Sequence, residues 1–358
     1  MRIIVKELKA EQMKEMVPPS ELGFGKYFTD RMLVRYFQEG QGWSDPLIEP
    51  YHALDLDPAA RTLHYSQEIF EGLKAYPAED GRILLFRPEE NCKRMNRSAE
   101  RLCMAVMPEA EMLECIQSLV VLEKRWIPRA PGTSLYIRPA LIGHEPALGV
   151  HHSSQYIFFI ILSPVGAYFK TGFMPVSLYV EETYVRAVAG GVGDVKTGGN
   201  YAATLLAGKK AEEKGFSQVM WLDARDHRFV EEVGSMNMFF VFGKRLVTPP
   251  LAGSILPGIT RDSVLKLAPH LGLEAEERPI SIDEVIAALG DGSLTESFGT
   301  GTACVIAPVR SFHYKGRDYA FADGKAGPVT QKLYDELVGI QYGKRPDPFG
   351  WVKEIGRL

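Results

Sequence analysis

The apolar run at residues 156–162 (YIFFIIL) is the feature that most limits what this chain can fold into. Its residues are apolar at odd and even positions alike, whereas a strand with one face in water alternates between apolar and polar residues. The run is therefore predicted to be a central strand of a sheet that is covered on both faces. It is far too short to cross a bilayer, which takes about 20 apolar residues in a helix.

Segments with strand and helix periodicity alternate on both sides of this run. At residues 89–104, and again at 112–126, apolar residues recur at helical spacing, so each segment is predicted to be a helix with one buried face. Strands are predicted at residues 82–86, 134–141, 176–180, 218–222, 236–242 and 303–309, and further helices at about 201–214 and from 260 onward. This alternation predicts a mixed α/β fold.

The length of the chain and one break in its pattern predict two domains. With 358 residues, the chain is longer than one hydrophobic core usually supports. Glycine, proline and aromatic residues interrupt the periodicity at residues 166–175 (GAYFKTGFMP), as is typical of a connection. We therefore predict a small N-terminal α/β domain at 1–165, an interdomain loop at 166–175 and a large C-terminal domain at 176–358.

Charge and cysteine content exclude several functional classes. The formal net charge of −4 gives no basic surface for nucleic acid or an anionic membrane. The four cysteines have no CxxC spacing, and Cys92, Cys103 and Cys115 fall in predicted helices, where buried thiols are expected. With a charged N-terminal stretch unlike a signal peptide, this pattern predicts a cytoplasmic location. The eight histidines show no metal-ligand spacing, so no metal site is expected.

Five glycines surround one lysine at residues 190–201 (GGVGDVKTGGNY), so a ligand can approach the backbone closely on both sides of Lys196. A Walker A loop needs glycine where Val195 stands, and a dinucleotide fingerprint needs glycine or alanine in place of Lys196, so both nucleotide interpretations fail. A lysine confined in such a turn can lose its solvent, which lowers its pKa and frees the amine for imine formation. Taken alone, a solvated lysine in a flexible loop is the more common case.

A carboxylate precedes the apolar strand MNMFFVF, in residues 231–237 (EEVGSMN). An acid such as Glu232 at the mouth of this strand can face a ligand. Opposite a pyridine nitrogen it would keep that nitrogen protonated, and a pyridinium ring is the electron sink of pyridoxal 5'-phosphate (PLP) chemistry. Without a lysine partner, a solvated hairpin charge would be the simpler interpretation.

Two further turns have the features of phosphate-binding sites. Residues 256–261 (LPGITR) open a predicted helix, whose N–H groups and dipole attract anions. Residues 299–303 (GTGTA) offer hydroxyls and open backbone before a predicted strand. Arg94, on the helix predicted at 89–104, is a candidate for the remaining phosphate charge. Each feature alone is common, and an exposed helix arginine would be the default interpretation of Arg94.

In this order, GGVGDVKTGGNY, EEVGSMN, LPGITR and GTGTAC resemble the motifs of the class IV PLP-dependent aminotransferases. The upstream segments HYSQEIFEGLKAY (64–76), FRPEENCKRMNRSAERL (86–102), LYIRP (135–139) and ILSPVGAY (161–168) are similar to the branched-chain amino acid aminotransferases in particular. The resemblance extends over about residues 20–345. It implies a fold type IV PLP enzyme with two domains and the cofactor at their interface.

The resemblance also implies roles for the residues that match the family motifs. Lys196 matches the catalytic lysine, which holds PLP as a Schiff base and moves the proton between the substrate Cα and the cofactor C4'. Glu232 matches the acid paired with the pyridine nitrogen, and Tyr201 matches the tyrosine that hydrogen-bonds the phenolic oxygen. The matched phosphate binders are Arg94, the backbone of Ile259 and Thr260, and Thr302.

For the substrate, the resemblance implies aromatic walls around an aliphatic side chain, with an arginine beside them. The matched residues are Tyr65, Phe70, Tyr136, Tyr168 and Arg138. Ser235 and the backbone at Ala303 match the positions that bind the α-carboxylate. Leu148 matches a loop residue that reaches into the neighbouring subunit's site, so a homodimer is expected.

Three departures from the family pattern are visible. Ser235 stands where many relatives have threonine, but it keeps the hydroxyl. Some eukaryotic relatives have a CxxC redox switch after the GTA turn, whereas here Ala307 fills the place of the second cysteine, so that switch is not expected. Residues 169–174 match no family segment securely.

The sequence therefore predicts reversible amino transfer from L-leucine, L-isoleucine or L-valine to 2-oxoglutarate, giving branched 2-keto acids and L-glutamate. A D-amino acid aminotransferase and an aminodeoxychorismate lyase-like enzyme are alternatives on the same scaffold, which EGLKAY and the aromatic set disfavour. A catalytically silent PLP-binding protein and a phosphate-binding module without PLP are the remaining alternatives.

Overall fold

A computed structural model describes residues 1–166, 173–321 and 324–358 of the chain. The strands of these described residues, in chain order, are β1 (Ile4–Val5), β2 (Arg31–Gln38), β3 (Gly42–Trp43), β4 (Leu47–Pro50), β5 (Glu68–Phe70), β6 (Leu73–Pro77), β7 (Arg82–Phe86), β8 (Ser134–Gly143), β9 (Gln155–Val165), β10 (Val176–Val180), β11 (Gln218–Leu222), β12 (Val230–Val233), β13 (Met236–Phe242), β14 (Arg245–Thr248), β15 (Glu274–Glu277), β16 (Glu296–Gly301), β17 (Val305–Tyr314), β18 (Arg317–Ala320) and β19 (Val352–Arg357).

The α-helices are α1 (Arg61–Tyr65), α2 (Pro88–Arg101), α3 (Glu109–Leu122), α4 (Gly198–Ala202), α5 (Leu205–Glu213), α6 (Ile259–Leu267), α7 (Ile282–Gly290) and α8 (Pro328–Gln341). The predicted mixed α/β class is confirmed. The single helix predicted at 201–214 is wrong, because α4 ends at Ala202 and α5 begins at Leu205. Between them Thr204 Oγ1 donates to the Tyr201 carbonyl over 2.7 Å. Such side-chain bonds compete with the helical backbone bonds.

The chain divides into two compact units. The first comprises Met1–Lys170, Lys196–Gly198 and Gly339–Leu358, and the second comprises Thr171–Val195 and Gly199–Val338. The predicted large domain ran to residue 358, whereas the C-terminal segment groups with the first unit because β19 pairs antiparallel with β7. Most of the predicted interdomain loop, at 166–175, lies outside the described residues.

The first unit is built on a ten-stranded sheet. Its main path has the order β1-β4-β2-β9-β8-β6-β7-β19, with β3 beside β2 and β5 beside β8. Strand β9 contains the apolar run 156–162 and pairs along its length with β2 on one side and β8 on the other. The predicted central position of this run is therefore confirmed.

Helices α2 and α3 contribute side chains to the core of the first unit. Met95 of α2 and Leu119 of α3 are buried in one cluster with residues of the sheet. Cys92 and Cys115 belong to the same cluster, and burial raises the pKa of each thiol to about 12. The prediction of a buried thiol at Cys103 is wrong, because α2 ends before it and Cys103 is exposed, with φ at +52°.

The second unit is built on a nine-stranded sheet whose central strands close on themselves. The hydrogen-bonded order is β12-β11-β10-β17-β16-β13, and β12 also pairs with β13, so these strands form a ring. The register places Glu232 of β12 opposite Asn237 of β13, and Asn237 opposite Thr300 of β16. Closure of the ring thus aligns three polar residues on neighbouring strands.

No helix within the described residues has the length and apolar character needed to cross a membrane.

Candidate active site

Hydrogen bonds hold the backbone of the Lys196 turn in the first unit. The Lys196 amide donates to Ser98 Oγ of α2 over 3.0 Å, and the Phe70 amide of β5 donates to the Lys196 carbonyl over 3.1 Å. Thr197 Oγ1 donates to the Glu68 carbonyl over 2.8 Å. The lysine is half-buried, and its Nζ lies 4.9 Å from the centroid of the Phe70 ring. These contacts are unlike those of a solvated lysine in a flexible loop.

A glycine is required directly after this turn. A Cβ on Gly198 would collide with Oε1 of Glu68, whose carboxylate accepts a hydrogen bond from the Gly198 amide. Burial raises the pKa of Glu68, although the Gly198 amide and the nearby Arg138 both oppose that rise. Gly198 therefore has to be glycine, because only a residue without a side chain allows the backbone to approach Glu68 this closely.

Phe70, Tyr136 and Arg138 form a compact aromatic and cationic group in the first unit. Arg138 Nη2 donates to Tyr136 Oη over 3.1 Å. The guanidinium carbon of Arg138 lies 4.7 Å from the Phe70 ring centroid and 5.3 Å from that of Tyr136. Since Lys196 Nζ also lies near the Phe70 ring, the structure brings four of the predicted residues together, namely Phe70, Tyr136, Arg138 and Lys196.

Arg94 is buried and paired, rather than being the exposed helix arginine that is the default for such a position. Its Nε and Nη2 contact Oε1 and Oε2 of Glu71 at 2.7 and 2.8 Å. The two side chains are 5% and 1% exposed, which makes this a buried bidentate ion pair. Asn91 Nδ2 donates to Glu71 Oε2 over 2.7 Å. Burial alone would raise the pKa of Glu71, but Arg94 above all, helped by Lys196, lowers it.

Tyr65 and Leu148 lie in a second group on the first unit. Tyr65 Oη accepts a hydrogen bond from the Gly149 amide over 2.8 Å. The fully buried Arg61 pairs with Glu145 over 3.2 Å and donates to the Gly149 carbonyl, so it fastens this loop to α1. The Leu148 side chain is 67% exposed on the fastened loop. Tyr168, the remaining predicted aromatic residue, lies outside the described residues.

In the second unit, three predicted residues line one cavity of about 580 Å³. They are Tyr201, Glu232 and Ser235, and they share it with Arg186, Asn200, Leu256 and Trp221. A cavity of this size is within the range of small-molecule sites. Adjacent residues of a strand point to opposite faces, so only one acid of the Glu231–Glu232 pair can face it. Glu232 is that acid.

The Glu232 carboxylate is buried and held by two partners. It is 3% exposed, and its Oε2 lies 2.5 Å from Arg186 Nε. Its Oε1 accepts a hydrogen bond from Asn237 Nδ2 over 3.1 Å. Asn237 Nδ2 also donates to the Leu256 carbonyl over 2.9 Å. A buried carboxylate with a paired cation is stabilised in its charged form.

The predicted phosphate turns of the second unit lie at a helix start and between two strands. Ile259 and Thr260 begin α6, where the first N–H groups have no partner within the helix. Gly258 precedes them in extended conformation, and a Cβ there would collide with Asn237 Oδ1. Residues 302–304 form the turn between β16 and β17, and Thr302 and Ala303 are half-buried in it.

These groups have the chemistry that a pyridine ring carrying a phosphate requires. Glu232 is a buried carboxylate on a cavity, which suits a protonated ring nitrogen, and Tyr201 offers a hydroxyl on the same cavity. Gly258 itself has no side chain at the start of α6, and the N-terminus of a helix attracts an anion.

Sequence reasoning missed the residues that hold these side chains in place. They are Ser98, Glu71, Arg186 and Asn237. Glu71 lies 23 residues from Arg94, and no local periodicity links such partners. Arg186 precedes the glycine-rich turn in an otherwise apolar segment (YVRAVAG), which is a weak signal of a buried ion pair.

Comparison with known proteins identifies the family. The family model for amino-transferase class IV matches residues 68–312. The chain is 52% identical over 356 residues to branched-chain-amino-acid transaminase 1 of Bacillus subtilis (strain 168), covering 99% of this chain and 100% of that protein. It is 53% identical over 340 residues to branched-chain-amino-acid aminotransferase 2 of the same organism, covering 95% and 94%.

Solved structures agree with this assignment. The Escherichia coli branched-chain amino acid aminotransferase matches with a TM-score of 0.75 and 28% identity, over 90% of this chain and 99% of that one. The T.th. branched-chain amino acid aminotransferase with pyridoxamine 5'-phosphate matches with a TM-score of 0.74 and 27% identity, over 90% and 98%. The predicted fold type IV is confirmed by these neighbours. The chain belongs to the class IV aminotransferases, and within them to the branched-chain aminotransferase group.

Proposed function

We propose that this protein transfers the amino group of L-leucine, L-isoleucine or L-valine reversibly to 2-oxoglutarate, with PLP as cofactor. The observation that carries the proposal is that Lys196 Nζ and the Arg138 guanidinium both lie near the Phe70 ring, with Tyr136 hydrogen-bonded to Arg138. Both substrates of such a reaction must use one pocket, although one side chain is aliphatic and the other ends in a carboxylate. Aromatic faces suit the first, and the Tyr136 and Arg138 donors suit the second.

Each residue predicted to bind the cofactor has a proposed role toward PLP. When bound, PLP would supply a protonated ring that accepts the electrons left when the substrate Cα loses its proton. Lys196 would hold PLP through its amine until the substrate amine replaces it, and the freed Lys196 amine would then take that proton and return it at the cofactor C4'. Glu232 would balance the positive charge of the ring nitrogen. Tyr201 donates a hydrogen bond to the phenolic oxygen. Residues proposed to hold the phosphate are Arg94, the backbone of Ile259 and Thr260, and Thr302.

The role proposed for Arg94 depends on how its guanidinium is shared. A guanidinium has five N–H donors, and the Glu71 pair engages the Nε and Nη2 groups. A phosphate contact therefore requires donors beyond that pair. Glu71 would fix the plane of the guanidinium, so that the same arginine is held rigidly for the second partner.

The substrate would be recognised at its side chain and at its α-carboxylate. We place Tyr65, Phe70, Tyr136 and Tyr168 around the aliphatic side chain. Ser235, which is exposed, and the Ala303 backbone are proposed to bind the α-carboxylate. Leu148, exposed on its fastened loop, is proposed to enter the site of a second copy in a homodimer. The cytoplasmic location stays a prediction from the sequence.

A coupled assay over a panel of amino donors tests this function. Purified protein with PLP and 2-oxoglutarate is offered the three branched-chain amino acids, L-phenylalanine, L-aspartate and D-alanine, and glutamate formation is measured. We expect the branched-chain donors to have the highest kcat/KM. Preference for D-alanine would favour the D-amino acid aminotransferase, and 4-aminobenzoate formation from aminodeoxychorismate would favour the lyase. A PLP spectrum without turnover of any donor would favour the silent binding protein.

A further inference from the structure

We propose that Arg186 is a positioning residue, which fixes the Glu232 carboxylate and links it to the turn that leads to Lys196. This inference rests on the proposed function, in which Glu232 and Lys196 act on the same cofactor. Arg186 itself was not among the residues that the family motifs indicated. Its position follows from contacts within the second unit.

One guanidinium connects three separate segments. Arg186 is 9% exposed, and its Nε lies 2.5 Å from Glu232 Oε2 on β12. Its Nη2 donates to the Gly193 carbonyl over 2.9 Å, in the glycine-rich turn shortly before Lys196. The same Nη2 donates to the carbonyl of Ser254, in the segment that leads to α6. Displacement of any of these segments would therefore move the cation that pairs with Glu232.

The two carbonyls are brought together so tightly that the turn tolerates no side chain. A Cβ on Gly193 would collide with the Ser254 carbonyl and with Cβ of Ala187. Converging carbonyl oxygens repel one another unless a donor lies between them, and a buried polar group without a donor is costly. Arg186 supplies that donor, so the close packing of turn and segment depends on it.

Two neighbouring carboxylates compete for this one cation. Burial raises the pKa of Glu231, against which a hydrogen bond from Ser254 and the charge of Arg186 both act. Ser254 Oγ donates to Glu231, so the adjacent acid has its own partner. The Arg186 Nε is thereby left to Glu232. Without the arginine, the buried Glu232 would lose the cation beside it and the contact that orients its carboxylate.

Lysine is a poor substitute for arginine here. The guanidinium is planar and directs its donors along several fixed directions, whereas an ammonium is a point charge on a flexible stem. A lysine at position 186 would keep the charge, but it would not hold a carboxylate and two carbonyls from three directions. Comparison of Arg186→Lys with wild type therefore separates positioning from charge alone.

A double-mutant cycle on the PLP-loaded full-length protein tests the proposal. Wild type, Arg186→Lys, Glu232→Gln and the double variant are mixed with L-leucine, and the single-turnover rate is followed by absorbance. Binding of PLP to each apoprotein is measured separately by titration. We expect Arg186→Lys to slow the single turnover by about 10- to 100-fold, because the buried carboxylate loses a cation held in a fixed position. In the Glu232→Gln background the same change should cost only about 3-fold, because coupled residues are not additive.

Arg35 provides the matched control in the first unit. It is 4% exposed, its Nε donates to the Ser44 carbonyl over 2.6 Å, and its Nη1 pairs with Glu111 over 2.7 Å. Arg35→Lys thus removes a buried guanidinium with the same kinds of contact. We expect it to leave single turnover and PLP binding within about 2-fold of wild type. An equal loss in this control would show that replacing any buried arginine has the effect, and the proposal would be overturned.

The remaining outcomes also show whether Arg186 acts through Glu232. Equal rate losses for Arg186→Lys with and without Glu232 would mean that Arg186 does not act through the carboxylate. If Arg186→Lys lacks a cooperative thermal transition, Arg186→Ala is assayed with added methylguanidinium, which the cavity lined by Arg186 should admit. Rescue by methylguanidinium but not by methylammonium supports the proposal, and equal rescue or none contradicts it. If wild type binds PLP but transfers no amino group, the proposed function fails, while the PLP titrations still measure the coupling of Arg186 with Glu232.

Discussion

Replacement of Glu71 by glutamine removes the charge from a carboxylate that is 1% exposed, while keeping its size. The change leaves Arg94, also buried, without its counter-ion. Breaking a buried pair in this way typically costs about 3–5 kcal/mol, because an uncompensated charge stays buried. Asn91 still offers its amide to the new side chain, so we expect the lower end of this range. For a unit of this size the loss corresponds to a fall in Tm of about 6–12 °C.

Differential scanning calorimetry of the apoprotein measures this effect, because it follows the unfolding of the first unit without a contribution from the cofactor. Glu90→Gln is the control, because Glu90 lies on α2, the helix that also contains Arg94. Glu90 pairs with Lys93 at the surface, where the two side chains are 36% and 49% exposed. Such exposed pairs contribute about 0–1 kcal/mol, so we expect a fall of less than about 2–4 °C.

The pH dependence gives a second check on the same pair. The folded protein lowers the pKa of Glu71 below its ordinary value of 4.5. The stability from this carboxylate is thus fully present above that value, and it is lost as the pH falls through the lowered folded pKa. The Tm curves of wild type and Glu71→Gln should therefore converge at low pH. A Tm shift no larger than that of Glu90→Gln at neutral pH, or one that does not depend on pH, would refute the reasoning.

Three further predictions concern the proposed site. Glu232→Gln should still bind PLP but turn over at least about 100-fold more slowly, measured as kcat for L-leucine, since the ring nitrogen loses its buried anion; near-normal turnover would show that another group protonates the ring. Arg138→Gln should raise KM for 2-oxoglutarate by about 10-fold and leave KM for L-leucine within about 2-fold, because only 2-oxoglutarate has a side-chain carboxylate for Arg138 to bind. Equal changes in both KM values would contradict the dual-substrate role. Gly198→Ala should weaken PLP retention in dialysis, because its Cβ collides with Glu68, whereas Gly199→Ala, with open space at its Cβ, should not; similar retention by both variants would count against this contact.

The sequence predicted the strands best where apolar runs are bounded by turns. Residues 82–86, 176–180, 218–222 and 236–242 were predicted with the limits that the structure shows. Long-range pairing was not predictable in this way. The sequence of β19 is typical of a short polar tail, yet this strand pairs with β7. The pairing of β12 with β13 is not indicated by any local sequence pattern. Local patterns fix the periodicity of an element, but not its partner.

The same distinction applies to the candidate site. Lys196, Tyr201 and Glu232 lie in glycine-rich or turn-bounded motifs, which a sequence displays directly. The local sequence does not display which residues support these side chains. Glu71 and Arg186 each hold a predicted side chain through an ion pair between distant segments, and only the folded chain brings the partners together. Sequence therefore indicated which groups could perform chemistry, while the structure showed which groups hold them.

The most direct test of the central claim is the reaction of Lys196→Ala with PLP and borohydride. Lys209→Ala is the matched control, because the Lys209 side chain is 73% exposed and pairs weakly with Glu213 at 3.8 Å. After reduction and digestion, mass spectrometry identifies any lysine that carries a pyridoxyl group. We expect the adduct on the Lys196 peptide in wild type and Lys209→Ala, and neither adduct nor amino transfer in Lys196→Ala. A borohydride-reducible adduct and glutamate formation that persist in Lys196→Ala would contradict the assignment of Lys196 as the catalytic lysine.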